Sequence, residues 1–312
     1  MENIINLAGG AYSAAINLNR GANCISLRNF EYNAKILREP NYSENLDNPY
    51  LYGMPILYPV NRIENGSFIF ENRKYSFPIN EPKTNCHIHG FVHESQFNVL
   101  QVNESCVSGR YEGQYADCMQ KFRIELYYEI SDKGLLQKTT ITNLSDKNMP
   151  NFLGFHTTFN VPFVKSSNAK NIRVFVDSES EVQRNMNTYL PTGNFPNPDE
   201  VTQKLKNGSF VSYGSSISRH YKAGASGLME IYDIENKLKV VYENDKKFGW
   251  RLIYNGDGED YICLEPQTCM VNCQNSKIDR SLTGFDYIEP GLSKEYVSKI
   301  YISKMNYKES DF

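Results

Sequence analysis

Between Phe122 and Ile130 apolar and more polar positions alternate: Phe122, Ile124, Leu126, Tyr128 and Ile130 are separated by Arg123, Glu125, Tyr127 and Glu129. A period of two belongs to a strand with one face on a core and one in water. The Ser131-Asp132-Lys133-Gly134 sequence that follows is a turn, so the chain is expected to return antiparallel through Leu135 to Asn143. Short runs of the same character recur at Ile172–Val176, Leu228–Tyr232, Leu238–Tyr242, Trp250–Tyr254 and Tyr296–Ile302. Nearer the N-terminus, Ile4-Ile5, Ala14–Ile16, Cys24–Leu27 and Ile36-Leu37 are broken by Asn, Gly and Arg, as strands joined by turns would be. None of these runs has the apolar spacing of a long amphipathic helix. The pattern predicts an all-β antiparallel sandwich or barrel.

Other stretches depart from the strand pattern. Arg38 to Asn48 is polar and reads as a loop. From Pro49 to Ile63, three prolines argue against both a helix and a central strand, while the apolar content calls for burial. An extended segment laid across a sheet, delivering Arg62 to an edge, satisfies both. Ser67–Phe70 and Tyr75–Phe77 flank Glu71-Asn72-Arg73-Lys74 and read as a hairpin. Thr188 to Asn207 holds Pro191, Gly193, Pro196 and Pro198 among polar residues and is expected to be a long surface loop or lid. The strand pattern has the same character on both sides of it, so residues 1–312 are taken as a single domain.

Composition narrows the function. Aromatic residues make up 13% of the 312 residues, with 22 Tyr and 17 Phe, which suits β-structure and also suits sugar-binding surfaces. With 33 basic and 36 acidic residues there is no basic field for a polyanion to follow, which argues against nucleic acid as a partner. No run approaches the roughly 20 apolar residues of a membrane span, and the N-terminus lacks a signal-peptide pattern, so a cytoplasmic protein with no membrane partner is expected. Seven cysteines without a CxxC pair fit reduced thiols better than a disulfide framework or a zinc knot.

Candidate chemistry concentrates on histidines. His156 lies in Asn151-Phe152-Leu153-Gly154-Phe155-His156-Thr157-Thr158-Phe159-Asn160, where flanking phenylalanines suit a half-desolvated proton donor. A core histidine satisfied by a neighbouring carbonyl would look the same. Glu265 ends the apolar run in Tyr261-Ile262-Cys263-Leu264-Glu265-Pro266-Gln267-Thr268 and makes an acid and base pair available. A third stretch, Asn85 to Glu94, holds His87, His89 and His93. On a strand, His87 and His89 would share a face as two metal ligands can, and Glu94, His156 and Asn160 would extend the set to a site of the cupin kind. The glycines of that motif are absent, with Glu81 six residues ahead of His87 and Gln101 seven after Glu94. The metal-free alternative takes His89-Gly90-Phe91 as a strand end where glycine lets a substrate approach the backbone.

Taken in order, Gly53-Met54-Pro55-Ile56-Leu57-Tyr58-Pro59 with Asn61-Arg62-Ile63 and Gly66, then Tyr75, His89-Gly90-Phe91, His156–Asn160 and Ile262–Thr268 form a succession. This succession resembles the aldose 1-epimerase (galactose mutarotase-like) family from about Pro49 to Asn275. The resemblance implies a galactose mutarotase-like β-supersandwich with an open sugar cleft. It also implies interconversion of the anomers of a free hexose, such as galactose or glucose, with no metal and no organic cofactor. Carried over, His156 matches the acid that protonates the ring oxygen and Glu265 the base at the anomeric hydroxyl. Arg62 and His89 match the substrate-holding pair.

Two departures from the family pattern bear on substrate. An aspartate that grips sugar hydroxyls is expected near Ser218-Arg219-His220-Tyr221, where His220 is the candidate replacement. Val92 and His93 follow His-Gly-Phe where the phosphate-binding branch has a small residue and an arginine, so a neutral sugar is expected. The missing aspartate also leaves open a carbohydrate-binding or sensing protein without turnover. The expected partners are a small-molecule sugar and, for assembly, a second copy of the chain.

Overall fold

The computed structural model describes residues 4–41, 48–115, 120–256, 258 and 260–305. Cys118, and residues 42–47 of the polar stretch after Arg38, lie outside them. Two large antiparallel sheets dominate. One has eight strands, in the order Asn98–Val102, Cys106–Tyr115, Gln120–Ser131, Gly134–Asn143, Ser293–Lys304, Leu238–Asn244, Leu228–Asp233 and Ile172–Val176. The alternation around Ile124 appears there as burial of every second residue from Gln120 to Ile130. The turn after it joins Ser131 to Gly134 in the ladder.

The other sheet has seven strands. Ser178–Glu181, Ser218–Ala223, Trp250–Tyr254 and Tyr261–Gln267 follow one another, and Gly154–Phe155, Thr157–Asn160 and Ile56–Leu57 complete it beyond Tyr261–Gln267. Side chains of the two sheets meet in the core. Thr157 and Tyr242 hydroxyls lie 3.0 Å apart and Phe159 packs on Tyr242, while from the segment before Gly154 the Asn151 amide donates to the Tyr296 hydroxyl at 2.5 Å. One apolar cluster runs from Leu7 to Ile302, so the N-terminal four-stranded sheet, Ile4 to Lys35, shares it. Burying a large apolar side chain there contributes roughly 2 kcal/mol. This is the all-β sandwich expected from the strand pattern.

The details differ from expectation in three places. Pro49–Leu51 forms a turn of 3-10 helix, because Pro49 sits at its first position, where a missing N–H leaves nothing unpaired, and the Asn48 side chain caps it by accepting from Tyr50 N at 3.1 Å. The hairpin turns on Glu71 and Asn72 alone, both with positive φ, so Arg73 and Lys74 belong to its second strand. The expected loop from Thr188 to Asn207 ends in an α-helix, Glu200–Asn207, capped by Asp199, which accepts from Thr202 N at 2.9 Å, and closed by Gly208 at φ 78°. Leu205 anchors it in the core.

Candidate active site

Glu265 and His156 are cross-strand neighbours. The register that pairs Gly154 with Gln267 and Thr157 with Leu264 sets His156 opposite Glu265, and the His156 backbone N–H is tied on its other side to the Pro55 carbonyl at 3.0 Å. Their side chains therefore share a face of the seven-stranded sheet, with His156 Nε2 3.2 Å from Glu265 Oε1. Both line a cavity of about 1220 Å³. The other carboxylate oxygen accepts from Gln267 Nε2 at 3.2 Å, and Gln267 Oε1 accepts from Asn61 Nδ2 at 3.3 Å. An amide chain thus ties the carboxylate to the segment that carries Arg62.

Arg62 and His89 line the same cavity. Arg62 begins the strand Arg62–Glu64, which pairs with Cys86–Ile88. Its guanidinium forms a two-pronged ion pair with Glu81, both contacts at 2.7 Å, and lies 4.6 Å from the centre of the Tyr189 ring. His89 follows the partner strand in a left-handed conformation, φ 65°, and Gly90 continues it at φ 67°. A Cβ on Gly90 would stand 2.1 Å from the Tyr58 carbonyl oxygen. The glycine is therefore required by the chain's own backbone at Tyr58, where the sequence pointed to an approaching substrate. Tyr50 packs its ring 4.6 Å from that of His89 and 4.8 Å from that of His93, forming one wall.

The electrostatics follow from burial. Glu265 is 1% exposed and His156 6%. Loss of water pushes the Glu265 carboxyl up to about 8, against its hydrogen bond from Gln267 and the positive charges of Arg184 and Arg62. Loss of water pulls His156 down to about 4 and His89 well below the usual imidazole range, the latter helped by His156 and Arg62. Between those limits the pair holds one proton, which burial places on Glu265, with His156 Nε2 3.2 Å away. The arrangement can give a proton to one oxygen of a bound molecule while taking a proton from another.

Other expected site residues stand elsewhere. His220 belongs to the same cross-strand row, opposite Leu252, which is itself opposite Glu265. Its ring is fully buried, edge-on to Trp250 at 5.0 Å, and does not line the cavity, so it does not replace the family's aspartate there. The metal arrangement does not assemble either. His87 turns its Nδ1 to the Pro78 carbonyl at 2.8 Å and stacks on Phe77, while the strand ends before His89, so the two imidazoles do not share a site. Among the described residues no three His, Cys, Asp or Glu side chains converge as a metal site. The six described cysteines are free and buried. Sequence reasoning missed Tyr50, Asn61, Arg184, Tyr189 and Tyr254 in the lining. Asn61 was within reach, being next to Arg62, whereas Arg184 sits in a polar stretch with no local pattern around it.

Among known proteins, a galactose mutarotase-like protein from Clostridium acetobutylicum has the same fold at a TM-score of 0.92, with 32% identity over 97% of this chain and 96% of that one. A galactose 1-epimerase from Lactobacillus acidophilus superposes at a TM-score of 0.70, with 13% identity, 97% of this chain and 95% of that one covered, which is a likeness of fold alone. The plasmid-encoded LacX protein of Lactococcus lactis is 33% identical over 81 residues, a match that spans 25% of this chain and 27% of the relative. Residues 3–293 match the profile of the aldose 1-epimerase family. With a match across that span, the chain belongs to the aldose 1-epimerase family.

Proposed function

We propose that the protein is an aldose 1-epimerase that interconverts the α and β anomers of a free hexose such as galactose or glucose. The observation that carries the reading is the 3.2 Å contact between His156 Nε2 and Glu265 Oε1 at the wall of a large cavity. Opening a hemiacetal needs a proton delivered to O5 while another leaves the O1 hydroxyl. Both oxygens are bonded to the same anomeric carbon, so acid and base must stand side by side, as these two groups do.

In the proposed cycle sugar binding moves the proton that burial places on Glu265 across to His156, leaving Glu265 ionised. His156 protonates O5, Glu265 takes the O1 proton, and the C1–O5 bond breaks to give the linear aldehyde. Rotation about C1–C2 presents the other face, and closure returns both protons. Arg62 and His89 hold the ring. The reaction is neutral in charge and redox state, so these residues supply every step.

Polarimetry on freshly dissolved α-D-glucose or α-D-galactose tests this. A rate well above buffer is expected, and a rate equal to buffer would overturn the reading. A second reading, sugar binding without turnover, is favoured by one observation: His220 is buried outside the lining, and Ser218 and Arg219 of the same segment bring no carboxylate in the place of the family's aspartate. Saturable calorimetric binding of the hexose with no faster mutarotation would select it.

A further inference from the structure

Eight acidic and basic side chains line the cavity among the described residues: Arg62, Arg184, Lys204 and Arg219 on one side of the account, and Glu81, Glu181, Glu200 and Glu265 on the other. Three pairs are closed by direct contact. Arg62 meets Glu81 at 2.7 Å, Arg219 meets Glu181 at 2.7 Å, and Lys204 meets Glu200 at 2.6 Å. Arg184 and Glu265 remain, and each is buried, at 8% and 1% exposure. A buried guanidinium without a counter-charge is unfavourable, and so is a buried carboxylate.

The surroundings of Arg184 fix where its charge acts. Its Nη2 donates to the Ser218 carbonyl at 2.6 Å and to the Ser218 hydroxyl at 3.0 Å, which leaves the rest of the fork free of carboxylate contacts. It lines the same cavity as Glu265, and its charge bears on Glu265, Glu181 and His220. Arg251 is the contrasting case. It is fully buried too, but its guanidinium is held by the carbonyls of Phe248, Trp250 and Gly227, and it does not line the cavity.

We propose that Arg184 is a positioning residue of the reaction centre, a buried cation that serves as the counter-charge of Glu265 when its carboxylate gives up its proton and becomes the acceptor of the O1 proton. The proposal rests on the acid and base reading above. The other groups that act on Glu265 work in a different sense. Arg62 is largely neutralised by Glu81, while His156 and Gln267 touch the carboxylate directly. Tyr254 and Cys263, held neutral by burial, and His89 contribute no positive charge near neutral pH.

Two measurements test it. In Arg184→Met the pH profile of mutarotation should move alkaline by about one unit and kcat at pH 7 should fall, whereas Arg184→Lys should keep the native profile. An unmoved profile in Arg184→Met, or an equal shift in Arg184→Lys, would overturn the proposal. The second measurement needs no turnover, so it separates this proposal from failure of the mutarotase reading. Melting temperatures of Arg184→Met, Glu265→Gln and the double variant form a cycle. The double variant should melt well above the value expected from adding the two single losses, even if Arg184→Met alone folds poorly. Additive losses would overturn the pairing.

Discussion

His156 and Glu265 differ in the direction burial drives them, and that difference sets a working range. Below about 4 both carry their protons and no base is left, and above about 8 neither does and no acid is left. Mutarotation, after subtraction of the buffer rate, should therefore follow a bell between those limits, and a rate that is flat from pH 3 to pH 10 would contradict the assignment. Replacing either residue, by His156→Ala or Glu265→Gln, should lower the rate by about 10²- to 10⁴-fold with the fold intact by circular dichroism. These two groups were legible in the sequence because each sits in a recognisable run. Arg184 was not, since Ser218 and Tyr189 become its neighbours only through the register of the sheet and the path of residues 182–199. His220 shows the reverse error. It was picked by its place in the chain, and the ring of Trp250 claims it.

The strands were the easiest elements to find, because half-buried strands write their burial into alternate positions. The helix Glu200–Asn207 was hidden by its own shortness. Val201 and Leu205 are its only apolar residues, too few to set a period, although Asp199 before it and Gly208 after it are capping residues in plain view. The turn at His89-Gly90 was found for a different reason from the one that governs it. Gly90→Ala should destabilise the protein by about 2 kcal/mol or more, because the added methyl meets the Tyr58 backbone and φ is positive. Thermal melts check this, and an unchanged melting temperature would mean that the backbone at Tyr58 yields freely. A loss of activity should accompany it, since His89 and Arg62 are placed by the same pair of strands.

At the scale of the whole molecule, all five histidines are buried and each is pulled below its usual range, chiefly by loss of water. An unfolded chain takes those protons near pH 6.5, whereas the native chain takes the one on His156 only near 4. Stability contributed by the neutral imidazoles is thus present above 6.5 and lost as the pH falls toward 4, about 3 kcal/mol from His156 alone. Glu265 works the other way, its native proton adding stability as the pH falls from about 8 and contributing fully below about 4.5. With five groups against one, the melting temperature should drop steeply below pH 6, and a melting temperature that holds from pH 7 to pH 4 would contradict the burial of these rings in solution.

The spacing of acid and base comes from the ladder that joins Gly154–Phe155 and Thr157–Asn160 to Tyr261–Gln267, deep in the sandwich. Much of the remaining lining, from Gln183 to Ile217, comes from the connection between two neighbouring strands of the sheet. On the proposed reading, proton chemistry and sugar choice are encoded in separable parts. Exchanging that connection for one of another length or sequence should redirect the enzyme to a different carbohydrate while the proton-transfer apparatus keeps its dimensions.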